Sequence, residues 1–127
     1  MELTIQKCAE IFWEKIRTIR NASRDCFLDS SYINKETHKL FMEEHCKNYY
    51  VATINDNDVV GFAGVVDNDI RIGVDPDFKG LGVGKKLLKK IQKKFPNSVA
   101  KIYIDNERSI RLFEPCGFKK KLYILHQ

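Results

Sequence analysis

Val74-Asp75-Pro76-Asp77-Phe78-Lys79-Gly80-Leu81-Gly82-Val83-Gly84-Lys85-Lys86-Leu87-Leu88 joins the end of a β-rich stretch to the start of an amphipathic helix. Glycines at 80, 82 and 84 let bare backbone N–H groups approach an anion, and the following helix adds the partial positive charge of its N-terminus. Two common phosphate loops do not fit. A Walker A loop is Gly-x-x-x-x-Gly-Lys-Ser/Thr, but the residue five before Gly84 is Lys79, and Lys86 stands where a magnesium-binding hydroxyl belongs. A dinucleotide fingerprint starts directly after its strand and needs a glycine where Lys85 stands; here residues 75–79 intervene. Asp105 does lie near the position of the ribose-binding acid, yet a single 127-residue domain with an antiparallel first half does not make a doubly wound sheet.

Working outward from the loop, residues 49–54 and 59–66 read as two strands of a hairpin around the turn-rich Asn55-Asp56-Asn57-Asp58. Asp67-Asn68-Asp69 makes the next turn and 70–74 a third strand. After the loop the pattern predicts a helix from Gly82 to about Phe95, a strand over 99–104, a helix over 106–114 and a last strand over 120–125. Pro96-Asn97 stops the first of these helices, and Pro115 with Gly117 stops the second. Before the meander, a short strand is expected at Leu3-Thr4-Ile5 and an amphipathic helix over 8–21. A second helix within 34–46 has Asn34 as N-cap and Leu40 and Phe41 turned inward. These elements predict one α/β domain spanning 1–127, with a mixed central sheet, an N-terminal antiparallel meander and flanking helices.

Composition narrows the function classes. No apolar run approaches the ~20 residues of a membrane span, and the first residues lack the basic and apolar regions of a signal peptide, so a cytoplasmic location is expected. Cysteines 8, 26, 46 and 116 are scattered, which points to reduced thiols rather than a metal site, and no metal is expected. Lys plus Arg (22) exceed Asp plus Glu (17), for a net charge of +5. Lysines 79, 85, 86, 89, 90, 93 and 94 fall in one acid-free run, read as a mostly solvated helix face that also draws in an anionic cofactor. No nucleic-acid recognition motif accompanies it, and no nucleic-acid partner is expected.

The stretch 74–88 closely resembles the acyl-CoA-binding motif of the GNAT superfamily of N-acetyltransferases: Val-x-Pro, two residues, a basic or Gln residue, then Gly-x-Gly-x-Gly/Ala. Further on, Asn106-Glu107-Arg108-Ser109-Ile110-Arg111-Leu112-Phe113-Glu114-Pro115-Cys116-Gly117-Phe118 resembles the family's second motif, in which Asn opens a helix ending in an aromatic residue and Gly-Phe. The two lie 22 residues apart, from Gly84 to Asn106, with a predicted strand between.

The resemblance implies a GNAT fold with acceptor-shaping helices over about 8–46 and an acetyl-CoA-binding core over about 49–126. It implies acetyl-CoA as co-substrate, its pyrophosphate held by Gly80, Leu81, Gly82, Val83, Gly84 and Lys85 with help from Lys79. Ile72, Gly73 and Val74 would pair with the pantetheine arm, in a slot opened where this strand splays from 99–104; Asn106 and Phe113 would border that slot. The implied reaction is attack of a neutral primary amine on the thioester, which needs a base, oxyanion donors and an acid. Many members place a Tyr acid where this chain has Phe113, so Tyr103, Cys116 or water remain as candidates. Asp67 and Asp69 are weighed as bases but read as turn residues.

Arg20-Asn21, Arg24 and Phe27, with Ile33, Glu36, His38 and Phe41, resemble a branch acting on amino groups of nucleotide-linked sugars. In that branch Arg20, Asn21, Arg24, Glu36 and His38 would meet the acceptor, with His38 a possible base. The expected activity is acetyl transfer to the primary amine of a small molecule. A protein or peptide acetyltransferase and a non-catalytic acetyl-CoA-binding module are the alternatives. The sequence leaves the oligomeric state undetermined.

Overall fold

Two tight Asx-rich turns organise the sheet. In the computed structural model, which describes residues 2–23, 27 and 30–127, the strands are β1 (Thr4–Lys7), β2 (Tyr49–Ile54), β3 (Asp58–Val66) and β4 (Asp69–Val74). They pair in the order β1-β2-β3-β4, every neighbour antiparallel. Asp67 and Asn68 link β3 to β4 with φ of 49° and 71°, the left-handed pair that a two-residue hairpin turn requires and that Asn and Asp tolerate. A register shift between Ala52 and Thr53 marks a bulge in β2.

Helices cover both faces of this sheet. On one side α1 (Trp13–Ala22), the turn before it and α2 (Lys35–His45) pack Phe12, Ile16, Ile19 and Met42 against Tyr49, Val51 and Phe62. On the other, α3 (Val83–Lys94) buries Val83, Leu87, Leu88 and Ile91 against Val60, Ala63 and Val65, with α4 (Glu107–Phe113) adding Phe113. Positions 83, 87, 88 and 91 follow helical spacing, so α3 turns one apolar stripe inward and leaves Lys85, Lys86, Lys89, Lys93 and Lys94 exposed. Asn34 caps α2 by accepting from the Thr37 N–H at 2.8 Å, as its sequence position predicts.

Several expectations need correction. Leu40 is 69% exposed rather than inward, because His38 and Met42, four apart, define the inner stripe of α2. The first predicted helix begins later: Glu10–Phe12 form a 3-10 turn with Ile11 outside, and α1 starts at Trp13. Arg20, a charged residue of α1, is buried.

The strands expected over 99–104 and 120–125 do not form ladders. Residue 99 makes one parallel bridge, Asp69 to Val99, with Ile70 N–H donating to Val99 O and Val99 N–H to Asn68 O, both at 2.9 Å. Beyond it the chain leaves β4 on its way to the cap of α4, and a ladder needs a partner held within about 4.8 Å. The parallel component of the sheet is therefore this single bridge. In 120–125 Leu122, Tyr123, Ile124 and Leu125 are exposed, so this apolar run has no partner strand or core among the described residues.

Gly64 shows how tightly the α1/α2 face is drawn. A Cβ added there would penetrate the Tyr49 ring, whose carbons already cover the glycine. Gly64→Ala is expected to lower unfolding free energy by about 1–3 kcal/mol through overpacking. Denaturant unfolding with the midpoint unchanged would refute that packing.

Candidate active site

The glycine loop meets the requirements of an anion cradle by two different routes. Asp75 caps the short turn Pro76–Phe78, accepting from Asp77 N–H at 3.0 Å, and the chain then enters Gly80 and Gly82 with φ of 81° and 82°. Only glycine adopts such angles without strain. Gly82 is the N-cap of α3 and supplies no side-chain cap; Lys86 N–H donates to its carbonyl at 3.1 Å. The N–H groups of Val83, Gly84 and Lys85 thus open the helix, and a Cβ on Gly82 would meet no protein atom within 4 Å, so the space beside the N-cap is open. Gly84 serves packing instead: its Cβ would lie 3.3 Å from Leu112 and 3.6 Å from Val74, so the missing side chain lets α3 close on α4 and β4. The residues fit a pyrophosphate, with Lys79 and Lys85 flanking.

Beside this loop, β4 and residues 99–104 diverge from their single bridge. Past Ile70 no described strand takes up the outer edge of β4, which leaves the backbone at Ile72, Gly73 and Val74 open to an extended ligand arm. Ile72, Ala100 and Ile102 face the gap, and Asn106, Ser109 and Phe113 close it from α4. The gap continues over the α1/α2 face, where Arg20, Thr37, His38 and Tyr49 line it. The whole cleft has a volume of about 390 Å³, within the range of a small-ligand site.

The sequence-predicted residues divide accordingly. Asn106 borders the cleft and caps α4, its Oδ1 accepting from Ser109 N–H at 3.2 Å. Phe113 is 4% exposed, borders the cleft and packs edge-on against Phe118, with centroids 5.1 Å apart. Leu81 is exposed at the loop tip, while Val83 is buried under it. Arg20 and His38 reach the cleft; Asn21 and Glu36 do not. Asn21 is committed to the backbone of Ile33, donating to its carbonyl at 3.0 Å and accepting from its N–H at 2.9 Å, which ties the end of α1 to the segment before α2. Glu36 lies exposed in the first turn of α2. Arg24 lies outside the described residues, as does Cys26.

Of the proton-transfer candidates, His38 has the most defined chemistry. It is 6% exposed, and its Nε2 lies 2.9 Å from Trp13 O. A carbonyl only accepts, so Nε2 carries the proton and Nδ1 keeps a lone pair. Burial holds its pKa below the usual histidine value, and the neutral ring prevails near pH 7. Tyr103 is half exposed and Cys116 packs under α4 with its carbonyl accepting from Gln92 Nε2 at 2.7 Å; neither lines the cleft. Asp69 does, but Lys101 Nζ holds it at 3.0 Å. Asp67 occupies the hairpin turn.

Sequence reasoning missed Arg71, Tyr49 and Thr37 as lining residues. The one signal for Arg71 was a charged residue inside the apolar strand Ile70-Arg71-Ile72, which is equally the mark of a solvated strand face. Tyr49 looked like an ordinary core aromatic. Burial pushes its phenol upward, partly offset by Arg71 and Arg20. Among the described residues no group of three or more His, Cys, Asp or Glu is placed to hold a metal ion, and no helix is long and apolar enough to cross a membrane.

The acetyltransferase (GNAT) family model matches residues 11–118. Among solved structures, an N-acetyltransferase from Staphylococcus aureus Mu50 is 22% identical, covers 94% of this chain and 84% of its own, and superposes with a TM-score of 0.79. A ribosomal-protein-alanine N-acetyltransferase from Brucella melitensis is 19% identical over 91% of this chain and 84% of its own, with a TM-score of 0.81. A phosphinothricin acetyltransferase from Sinorhizobium meliloti, in complex with acetyl-CoA, is 20% identical over 94% of this chain and 76% of its own, with a TM-score of 0.79. At these identities the likeness shows the fold. No curated protein matches the chain.

Proposed function

The chain belongs to the acetyltransferase (GNAT) family, and from that premise we propose that it moves the acetyl group of acetyl-CoA to a primary amine of a small molecule, an amino sugar being the finer reading. One observation carries this: a single cleft of about 390 Å³ is lined by His38 and Arg20 on the helical side and by Ile72, Asn106 and Phe113 on the side of the glycine loop. Acceptor and thioester thus share one space, as direct transfer requires. Phe27 and Ile33 wall the acceptor end, which favours a compact molecule over an extended peptide.

Acetyl-CoA supplies the thioester acetyl group. The open N-terminus of α3 binds its pyrophosphate, with Lys79 and Lys85 adding charge, and the free edge of β4 at Ile72–Val74 orients the arm. His38 Nδ1 takes the proton from the acceptor's ammonium, directly or through one water, because its Nε2–H is already engaged by Trp13 O. Phe113 has no proton to give, so solvent protonates the leaving thiolate and takes up the second proton that the nitrogen loses as the amide forms.

A thiol-release assay with acetyl-CoA against a panel of amines tests the reading. Cofactor binding without release on any amine would replace it by a binding module. Phe113→Tyr places a hydroxyl at the cleft wall, and kcat is expected to rise by up to about 10-fold, below the ~100-fold or more of a full general acid because the thiolate is already a fair leaving group. An unchanged kcat would assign the proton to another route.

A further inference from the structure

We propose that the acceptor bears an anionic group, a carboxylate or a phosphate, beside its amine, and that Arg71 binds it. This deepens the acetyltransferase reading and rests on it. Tyr49, Gly64 and Arg71 are register partners across β2, β3 and β4 on the α1/α2 face. Gly64 has no side chain and the Tyr49 ring lies over it, so nothing from β3 stands between that ring and the β4 position. Arg71 lines the cleft there.

The charge balance of the cleft then decides what it accepts. Its described carboxylate is Asp69, and Lys101 holds that group at 3.0 Å. Arg71 forms no ion pair among the described residues; Arg20, which lines the same cleft, is engaged, its Cζ 4.5 Å from the Phe27 ring centroid, so the balance rests on Arg71. His38 is kept neutral and brings no negative charge. A guanidinium withdrawn from bulk water gains most from an anion that meets its planar fork, and carboxylate and phosphate both match that geometry. A polycationic amine would face repulsion in the same place. The cofactor's phosphates are accounted for elsewhere, since neither Gly80–Gly84 nor Lys79 lines this cleft.

The test compares matched acceptors: glucosamine with glucosamine 1-phosphate, and ethylamine with β-alanine, so that the phosphate and carboxylate arms are read separately. At least one anionic member is expected to exceed its neutral partner by about 10- to 100-fold in kcat/KM. Arg71→Met should erase that preference, Arg71→Lys should restore part of it, and KM for acetyl-CoA should stay unchanged. Equal use of both members in both pairs, or an effect of Arg71→Met on acetyl-CoA instead, overturns the proposal. Binding is also read without turnover, as the thermal shift given by pyrophosphate or citrate with coenzyme A saturating. A shift seen in the wild type and lost in Arg71→Met supports the anion site even if no amine is acetylated, in which case it is the transferase reading that fails. No shift from either anion, or one that survives in Arg71→Met, overturns the site.

Discussion

Gly82→Asp is expected to abolish acetyl-CoA binding, with affinity falling by more than about 100-fold, while the protein stays folded. The loss has two sources. The new carboxylate would occupy the open space beside the α3 N-cap, where a Cβ on Gly82 meets no atom within 4 Å. It would also bring a negative charge to N–H groups that otherwise receive a pyrophosphate, and like charges at a shared site repel. The fold survives because no neighbour is displaced. The φ of 82° is strained for any side chain, but Asp and Asn enter the left-handed region more readily than other residues, at roughly 1 kcal/mol. Gly82→Asn is the control: it has the same size and φ cost without the charge, and should lose less affinity than the Asp variant. Titration calorimetry with acetyl-CoA reads the first effect and thermal unfolding the second. Binding retained within a few-fold by Gly82→Asp would place the pyrophosphate elsewhere.

His38→Gln is expected to lower kcat/KM by about 100-fold or more, the usual share of a positioned base. Glutamine is chosen because its amide can still donate to Trp13 O, so the buried hydrogen bond is kept while the Nδ1 lone pair is lost. The pH profile separates a base from a structural histidine. His38 has a folded-state pKa below the ordinary value of about 6.5, so the wild type should lose kcat/KM as pH falls through that depressed value. His38→Gln should lack this acidic limb. The same depressed pKa makes a stability statement. Below about pH 6.5 the unfolded chain binds a proton that the folded ring resists, so the contribution of neutral His38 is present above that pH and is lost as pH falls toward the folded pKa. A variant that keeps the acidic limb would move the base to another group.

The glycine motif was legible in the sequence because its constraint is local. Positive φ at Gly80 and Gly82 and the helix start at Val83 follow from residues within one turn of each other. The hairpins were legible for the same reason, since Asp67-Asn68 demands a tight turn whatever surrounds it. The β-branched and aromatic runs over 99–104 and 120–125 were also visible, yet they produced one bridge at Val99 and an exposed segment. A strand needs a partner edge, and strand propensity alone does not provide one.

Helix faces showed the same limit. Leu40 read as core because hydrophobicity ranks residues without saying which stripe meets the sheet. The docking angle of α1 and α2 settled that. It brought His38 and Arg20 to the cleft and left Asn21 holding Ile33.

By itself, then, the sequence determined the family motifs, the glycine loop and the antiparallel meander, all set by short-range geometry and turn chemistry. Only the tertiary structure decided which side chains share the cleft. Arg71 lines it from the β4 position in register with Gly64 and Tyr49, and His38 is kept neutral by burial while its Nε2–H is engaged by Trp13 O. Both outcomes depend on long-range packing, in which a residue's role is fixed by what lies across the sheet or beneath the helix rather than by its neighbours along the chain.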